Sequence, residues 1–414
     1  MASVPYVPRL VDDRIRMLFE ELPALMLTGP RAAGKTTTAQ QHAKTVVRLD
    51  RPAEAAAFDA DPDAALAALP EPVVLDEWQA VPGVLGAVKR AVDTDPRPAR
   101  FLLTGSVRAD LLDETWPGTG RVVRVRMDGL TVRESAGRLG GPSFLERLGS
   151  ARIDAFPPPR NPPDLCGYVE LAIRGGYPEP VLRLSPDGAR AWTQGYIDQL
   201  LTRDAATLDG PRDPARLRRY FESLALSTAG MPEHKTLYDA AGINRKTAVG
   251  YDRLLVNLFV LDLLPAWTTN RLARLVRAQK RHLVDTSLVG AALDLDATAI
   301  LRDGDLLGRM LESFVLAQVR PEAHLASAAP RLHHVRDRDG RHEADLLAEL
   351  PGSDIVAIEV KATAAATPSD ARHLAWLRDR IGDRFRAGAV LHTGPRPYVL
   401  GERILALPIC VLWD

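Results

Sequence analysis

The 414 residues carry 53 Lys plus Arg against 53 Asp plus Glu, so no net field draws the whole molecule to nucleic acid or an acidic surface. Any such contact must come from local patches. The length calls for two to four modules. Cys166 and Cys410 are the only cysteines, which excludes a disulfide framework or a cysteine-built zinc site and suits a reducing cytoplasm. No apolar run approaches the ~20 residues of a bilayer span, so a cytoplasmic protein without membrane contact is expected.

Short apolar runs alternate with helical patterns up to about Glu134, the signature of a parallel sheet flanked by helices. The candidate strands are Ala24–Thr28, Thr45–Leu49, Val73–Leu75, Arg100–Thr104 and the extended run Arg121–Met127. A Gly-rich stretch at Gly137–Gly141 and the Pro-rich run Phe156–Pro163 then break regular structure. Four segments are expected: an α/β domain over 1–135, a linker and helical segment over 136–206, a winged-helix-like domain over 207–300 and a C-terminal α/β domain over 301–414. In the second, Trp192, Tyr196, Leu200 and Leu201 share one helix face and read as a buried stripe.

In the third segment, Lys235–Ala241, a break at Gly242, Arg245–Leu258 and the extended run Phe259–Trp267 follow the order of a winged helix-turn-helix. Asn244, Arg245, Lys246 and Thr247 begin the longer helix, where a recognition helix meets DNA. Further basic residues gather at Arg212–Arg219 and Arg271–Arg281, which allows a backbone-binding face. A plain packing unit has the same pattern.

Gly29-Pro30-Arg31-Ala32-Ala33-Gly34-Lys35-Thr36 has P-loop spacing, with a strand predicted before it and a helix after it. Glycines at both ends let the backbone turn so that its N–H groups face phosphates; Thr37 follows at the helix start. Lys35 is expected to reach the β- and γ-phosphates and Thr36 to ligate magnesium. The apolar run Val73-Val74-Leu75 ends in Asp76 and Glu77, a metal-holding acid and a candidate general base. A third strand leaves Thr104 and Ser106 at the ligand edge of the sheet, where either is placed to sense the γ-phosphate. Arg121 is a candidate arginine finger for a neighbouring subunit.

The loop GPRAAGKT, the segment LDEWQAVP, the strand LLTGS and the later GGYPEP and LLTRD runs together resemble bacterial and archaeal AAA-class ATPases with a C-terminal domain of unknown function. The resemblance spans nearly the whole chain. It implies ATP and Mg2+ as ligands, held by Gly34, Lys35 and Thr36 with Asp76 and Glu77, and a ring-like homo-oligomer. The pair Ala32-Ala33 departs from relatives that carry a polar residue before the second glycine; the backbone does the cradling there.

Toward the C-terminus, Glu343-Ala344-Asp345 precedes Ile355-Val356-Ala357-Ile358-Glu359-Val360-Lys361. Residues two apart in a strand face one side, so Glu359 and Lys361 point together. Asp345 on a neighbouring strand is expected to join Glu359 in holding a second Mg2+ or Mn2+, with Lys361 activating water. The arrangement resembles the PD-(D/E)XK nuclease fold, a restriction-endonuclease-like α/β domain, and that resemblance adds Glu312 on the preceding helix as a further acid. His333, His334 and His342 read as surface-loop histidines. The expected fold class is thus α/β, with a P-loop parallel sheet, a helical middle and a nuclease-like end. The expected function is an ATP-driven motor or switch acting on DNA, and the alternative is a nucleotide-gated scaffold whose nuclease-like domain is inactive.

Overall fold

A computed structural model describes residues 5–105, 120–205, 213–275, 277–326, 329–337 and 341–414. They divide into two compact units, Met1–Leu130 with Asn257–Phe259, and Thr131–Val256 with Val260–Asp414.

The first unit is built on five strands: β1 (Ala24–Thr28), β2 (Thr45–Arg48), β3 (Val73–Asp76), β4 (Phe101–Gly105) and β5 (Val123–Arg126). They pair in the order β2-β3-β4-β1-β5, all parallel. Every residue of β1, β3 and β4 is buried, which is why these strands read as unbroken apolar runs. Edge strand β5 exposes Val123 and Arg124. The helix Gly83–Thr94 covers one face through Val84, Leu85, Val88 and Val92, one helical stripe in a core with Leu75, Leu103 and Phe101. Each such side chain contributes about 1.5–3 kcal/mol on burial.

In the second unit, the helices Leu165–Arg174, Pro178–Arg183 and Pro186–Gln199 lead into a π-helical turn at Leu200–Asp204. Leu200 and Leu201 are buried, and Trp192 stacks on Tyr196 with centroids 5.4 Å apart. The GGYPEP run has a structural explanation. Gly175 sits at φ 70°, and a Cβ there would lie 2.1 Å from Asp285 Oδ1. Gly176 N–H donates to Asp285 Oδ2 at 2.8 Å, while Ser287 donates to Oδ1 from its N–H and its hydroxyl. Burial pushes the pKa of the Asp285 carboxyl up against the opposing effect of these bonds.

The helices Pro214–Leu226, His234–Ala241 and Arg245–Asn257 follow, with Gly242 in the left-handed region between the last two. An antiparallel pair, β6 (Leu261–Leu264) and β7 (Lys280–Leu283), comes next. The helix Gly304–Leu325, capped by Asp303, then packs on a six-stranded sheet. Its strands are β8 (Arg331–Arg336), β9 (Glu343–Glu349), β10 (Ile355–Val360), β11 (Phe385–His392), β12 (Tyr398–Gly401) and β13 (Ile404–Pro408). They lie in the order β12-β13-β11-β10-β9-β8, and the helix Arg372–Ile381 makes the crossover between parallel β10 and β11. The middle and C-terminal segments, read from sequence as separate modules, fall in this single unit. Backbone bonds join them: the Trp267 N–H donates to His334 O at 2.7 Å, and the His334 N–H donates to Pro265 O at 3.0 Å.

Replacing Asp285 by Ala orphans the N–H groups of Gly176 and Ser287, each costing about 1–3 kcal/mol. Urea unfolding of the Asp285→Ala chain should show a loss of about 2–6 kcal/mol for the two groups together, and Gly175→Ala a comparable or larger one.

Candidate active site

The phosphate loop leaves the carboxyl end of β1. Gly29 has φ 156°, and a Cβ there would lie 2.0 Å from Met127 O, so the loop enters through a gap only glycine fits. Gly34, at φ 93° and ψ 17°, precedes the helix Lys35–Ala39. The Lys35 ammonium donates to Gly29 O at 3.0 Å and to Pro30 O at 2.7 Å, curled onto its own loop. Burial pushes its pKa down to about 8, with the charges of Glu77 and Asp76 opposing the shift.

Asp76 at the end of β3 is the hub. Its Oδ1 accepts the Thr36 hydroxyl at 2.7 Å and also the Thr104 hydroxyl from β4. The neighbouring strand β4 therefore holds the acid in place. Thr104 Oγ1 also accepts the Glu77 N–H at 3.4 Å, so this buried hydroxyl, both donating and accepting, positions both acids. Glu77 turns off the strand in the left-handed region, φ 50°, and its Oε2 accepts the Gln79 amide. Ser106 lies outside the described residues. The Thr36 hydroxyl and the Asp76 carboxylate form an oxygen donor pair of the kind Mg2+ prefers.

Arg121 stands elsewhere. It precedes β5 at the amino-terminal edge of the parallel sheet, opposite the phosphate loop, and pairs with Asp93 at 2.7 Å. Sequence reasoning missed the loop's brace. Buried Arg9 donates from Nη1 to Ala33 O inside the phosphate loop and from Nη2 to Asp128 O, both at 2.9 Å. Beside it, Tyr6 donates to Asp12 at 2.7 Å, and His42 meets Asp12 Oδ1 at 2.7 Å. Nothing in the pattern of Arg9, Asp12 and their neighbours separates such a brace from a solvated charged helix.

The C-terminal cluster differs from expectation. Glu312, Asp345, Glu359 and Lys361 do come together, but a fifth residue takes the centre. Lys280 of β7, 1% exposed, reaches Glu312 Oε1 at 2.8 Å, Glu343 Oε1 at 3.0 Å and Asp345 Oδ1 at 3.3 Å. Burial alone would lower its pKa, but the three carboxylates hold it above the usual lysine range. Three acids around one ammonium leave surplus negative charge, and burial with Asp345 raises Glu312 well above the carboxylate range. Asp345 Oδ2 accepts the Val360 N–H at 2.9 Å, and Lys361 donates to Glu359 Oε1 at 2.8 Å. Burial, with Asp345, pushes the pKa of Glu359 up to about 8 against Lys361. The expected second Mg2+ or Mn2+ site on Glu312, Asp345 and Glu359 finds no support: among the described residues no group of three His, Cys, Asp or Glu is arranged to hold a metal. The lysine was missed because it lies 65 residues before Asp345, outside any local pattern. His333 and His334 are corrected. They lie buried on β8, and burial pushes the pKa of both down to about 4.

A parallel sheet carrying a phosphate loop after β1 and an acid at the end of β3 bonded to the Thr36 hydroxyl defines a P-loop ATPase. The AAA domain family matches residues 21–136, and two domains of unknown function, DUF8612 and DUF4143, match 167–299 and 307–412. The chain is 31% identical over 402 residues to Uncharacterized protein Rv2008c of Mycobacterium tuberculosis and to Uncharacterized protein Mb2031c of Mycobacterium bovis, spanning 95% of this chain and 82% of each relative. It belongs to the same family as these proteins. Among solved structures, the Walker-type ATPase PABY2304 of Pyrococcus abyssi aligns with a TM-score of 0.41 and 13% identity, over 68% of this chain and 94% of that one. Among the described residues, no helix is long and apolar enough to cross a membrane.

Arg9→Ala strips two loop carbonyls of their donor, a loss of about 1–3 kcal/mol. Steady-state kinetics should show the KM for ATP rising about tenfold with kcat little changed, since 1.4 kcal/mol corresponds to a factor of about ten. Lys280→Met leaves buried carboxylates without a cation and should destabilise the chain by about 3–5 kcal/mol in urea unfolding. Unchanged stability would mean that the ammonium does not hold the cluster.

Proposed function

We propose that the protein is a Mg2+-dependent ATPase that works as a switch on duplex DNA, with a nuclease-like C-terminal domain that binds rather than cuts. The observation that carries the ATPase part is the convergence of the Thr36 and Thr104 hydroxyls on Asp76 beside the buried Lys35. The backbone of Gly29 to Thr37 cradles the phosphates, and Lys35 leaves its loop carbonyls for the β- and γ-phosphates. Thr36 and Asp76 would hold Mg2+, which would supply neutralisation of phosphate charge. Glu77, once released from Gln79, accepts the proton of the attacking water.

DNA contact is supported by the helix Arg245–Asn257. Its outer face and the cap before it expose Asn244, Arg245, Lys246, Val249 and Arg253, while Ala248, Tyr251, Leu254 and Leu255 form the inner face. Asn244 caps the helix by accepting the Thr247 N–H at 2.9 Å. The following β6 and β7 suit the wing of a winged helix. The wider basic groups contribute less, because Arg216, Arg218, Arg274 and Arg281 are ion-paired within the chain. An ATP-driven homo-oligomer, with a finger such as Arg121 supplied by a neighbour, belongs to the same reading.

The scaffold alternative draws on Lys280. A tethered ammonium amid the acids favours a C-terminal domain without metal-dependent cleavage, in which ATP state gates a partner.

Lys35→Ala should lower ATP turnover by about 100-fold or more, as loss of a charge-stabilising donor does. Turnover measured with and without duplex DNA separates the readings. Stimulation by duplex, lost in Arg245→Ala/Lys246→Ala, supports the DNA switch, and a rate indifferent to duplex supports the scaffold.

A further inference from the structure

A second region with nucleic-acid chemistry lies away from the helix Arg245–Asn257. Between the segment after β6 and the C-terminal sheet, a cavity of about 540 Å³ is lined by Arg277, Arg336, Arg341 and Arg380 together with His342 and Trp376. Arg277 donates to Arg336 O, which ties the Arg277 guanidinium to the strand that carries Arg336. None of the four arginines is ion-paired with a carboxylate among the described residues. The cavity's carboxylate, Asp337, accepts the Arg341 N–H at 2.8 Å.

The aromatic part is equally specific. The His342 ring lies parallel to Trp376, with centroids 4.4 Å apart and planes 5° from coincident, and the Arg380 guanidinium sits 5.3 Å from the Trp376 centroid. The His373 ring stands edge-on to His342 at 5.7 Å, and such a group of half-buried flat rings beside a cation is the kind of surface on which a base stacks. Guanidiniums without carboxylate partners recognise phosphate by forked hydrogen bonds. The shared ligand chemistry is a flat base joined to phosphate. A duplex hides its bases and is too wide for this cavity, whereas an unpaired strand offers both groups at once.

We propose that this groove binds single-stranded nucleic acid, the phosphates on Arg277, Arg336, Arg341 and Arg380 and a base against the His342–Trp376 stack. The proposal goes beyond the duplex reading of the helix Arg245–Asn257, since it names a different site and an unpaired ligand. It requires no cleavage.

The test is fluorescence anisotropy of labelled oligothymidylate and oligoadenylate with the full chain across a salt series. Wild type should bind both, and Arg341→Ala/Arg380→Ala should bind about tenfold more weakly, with a log–log salt slope shallower by roughly one to two. His342→Ala should also weaken binding about tenfold, oligoadenylate at least as much as oligothymidylate, through loss of stacking. Thermal unfolding of each variant checks that the fold is kept. No binding by wild type at low salt, or equal binding by wild type and the double arginine variant, overturns the proposal. So does full displacement of the strand by AMP at equal nucleotide concentration, which would assign the groove to a mononucleotide. Duplex DNA and Arg245→Ala/Lys246→Ala run in parallel keep the two sites apart: loss of duplex binding alone touches only the helix, and loss of strand binding in the groove variants touches only the groove.

Discussion

A fully buried ammonium is tolerable only when surrounded by charge of the other sign, and Lys280 meets that condition by drawing acids from two different elements. Glu312 comes from the long helix, and Glu343 and Asp345 come from β9. Lys280 itself sits on β7, paired with β6 after the helix Arg245–Asn257. The charge cluster therefore holds the helical middle of the chain to the C-terminal sheet. The cluster also sets the electrostatics of that sheet edge, because an ammonium stands among Glu312, Glu343 and Asp345. Glu359 and Lys361 pair with each other beside it.

The phosphate site follows a different logic. There the buried lysine rests on backbone carbonyls, a neutral arrangement that leaves its charge available. The acids are kept ready by hydroxyls: Thr36 and Thr104 converge on Asp76, and Thr104 also receives the Glu77 N–H. One buried lysine is thus matched by carboxylates and the other by neutral carbonyl oxygens. Burial is common to both, and the identity of the nearest oxygens separates them.

Much of the first unit was legible because its signals are local. Strands buried on both faces read as apolar runs, and the P-loop spacing needs only eight consecutive residues. The start of the helix Arg245–Asn257 was equally clear from the break at Gly242. The C-terminal acids were found because acid and Glu-x-Lys lie on adjacent strands. Two kinds of residue escaped. Arg9 and Lys280 act through partners far away in sequence, and neither stands in a pattern that marks it. His333 and His334 look like loop residues until β8 is paired with β9 and buried.

By itself the sequence determined the phosphate loop, the acid that follows it, and the family to which such motifs point, since backbone turns and strand ends are decided by neighbours in the chain. Only the tertiary structure decided what the C-terminal acids face, where Arg121 stands, and that four arginines and two stacked rings share one cavity. Charge neutralisation and ring stacking act over a few ångströms in space without regard to separation along the chain. No reading of spacing recovers them before the fold brings the partners together.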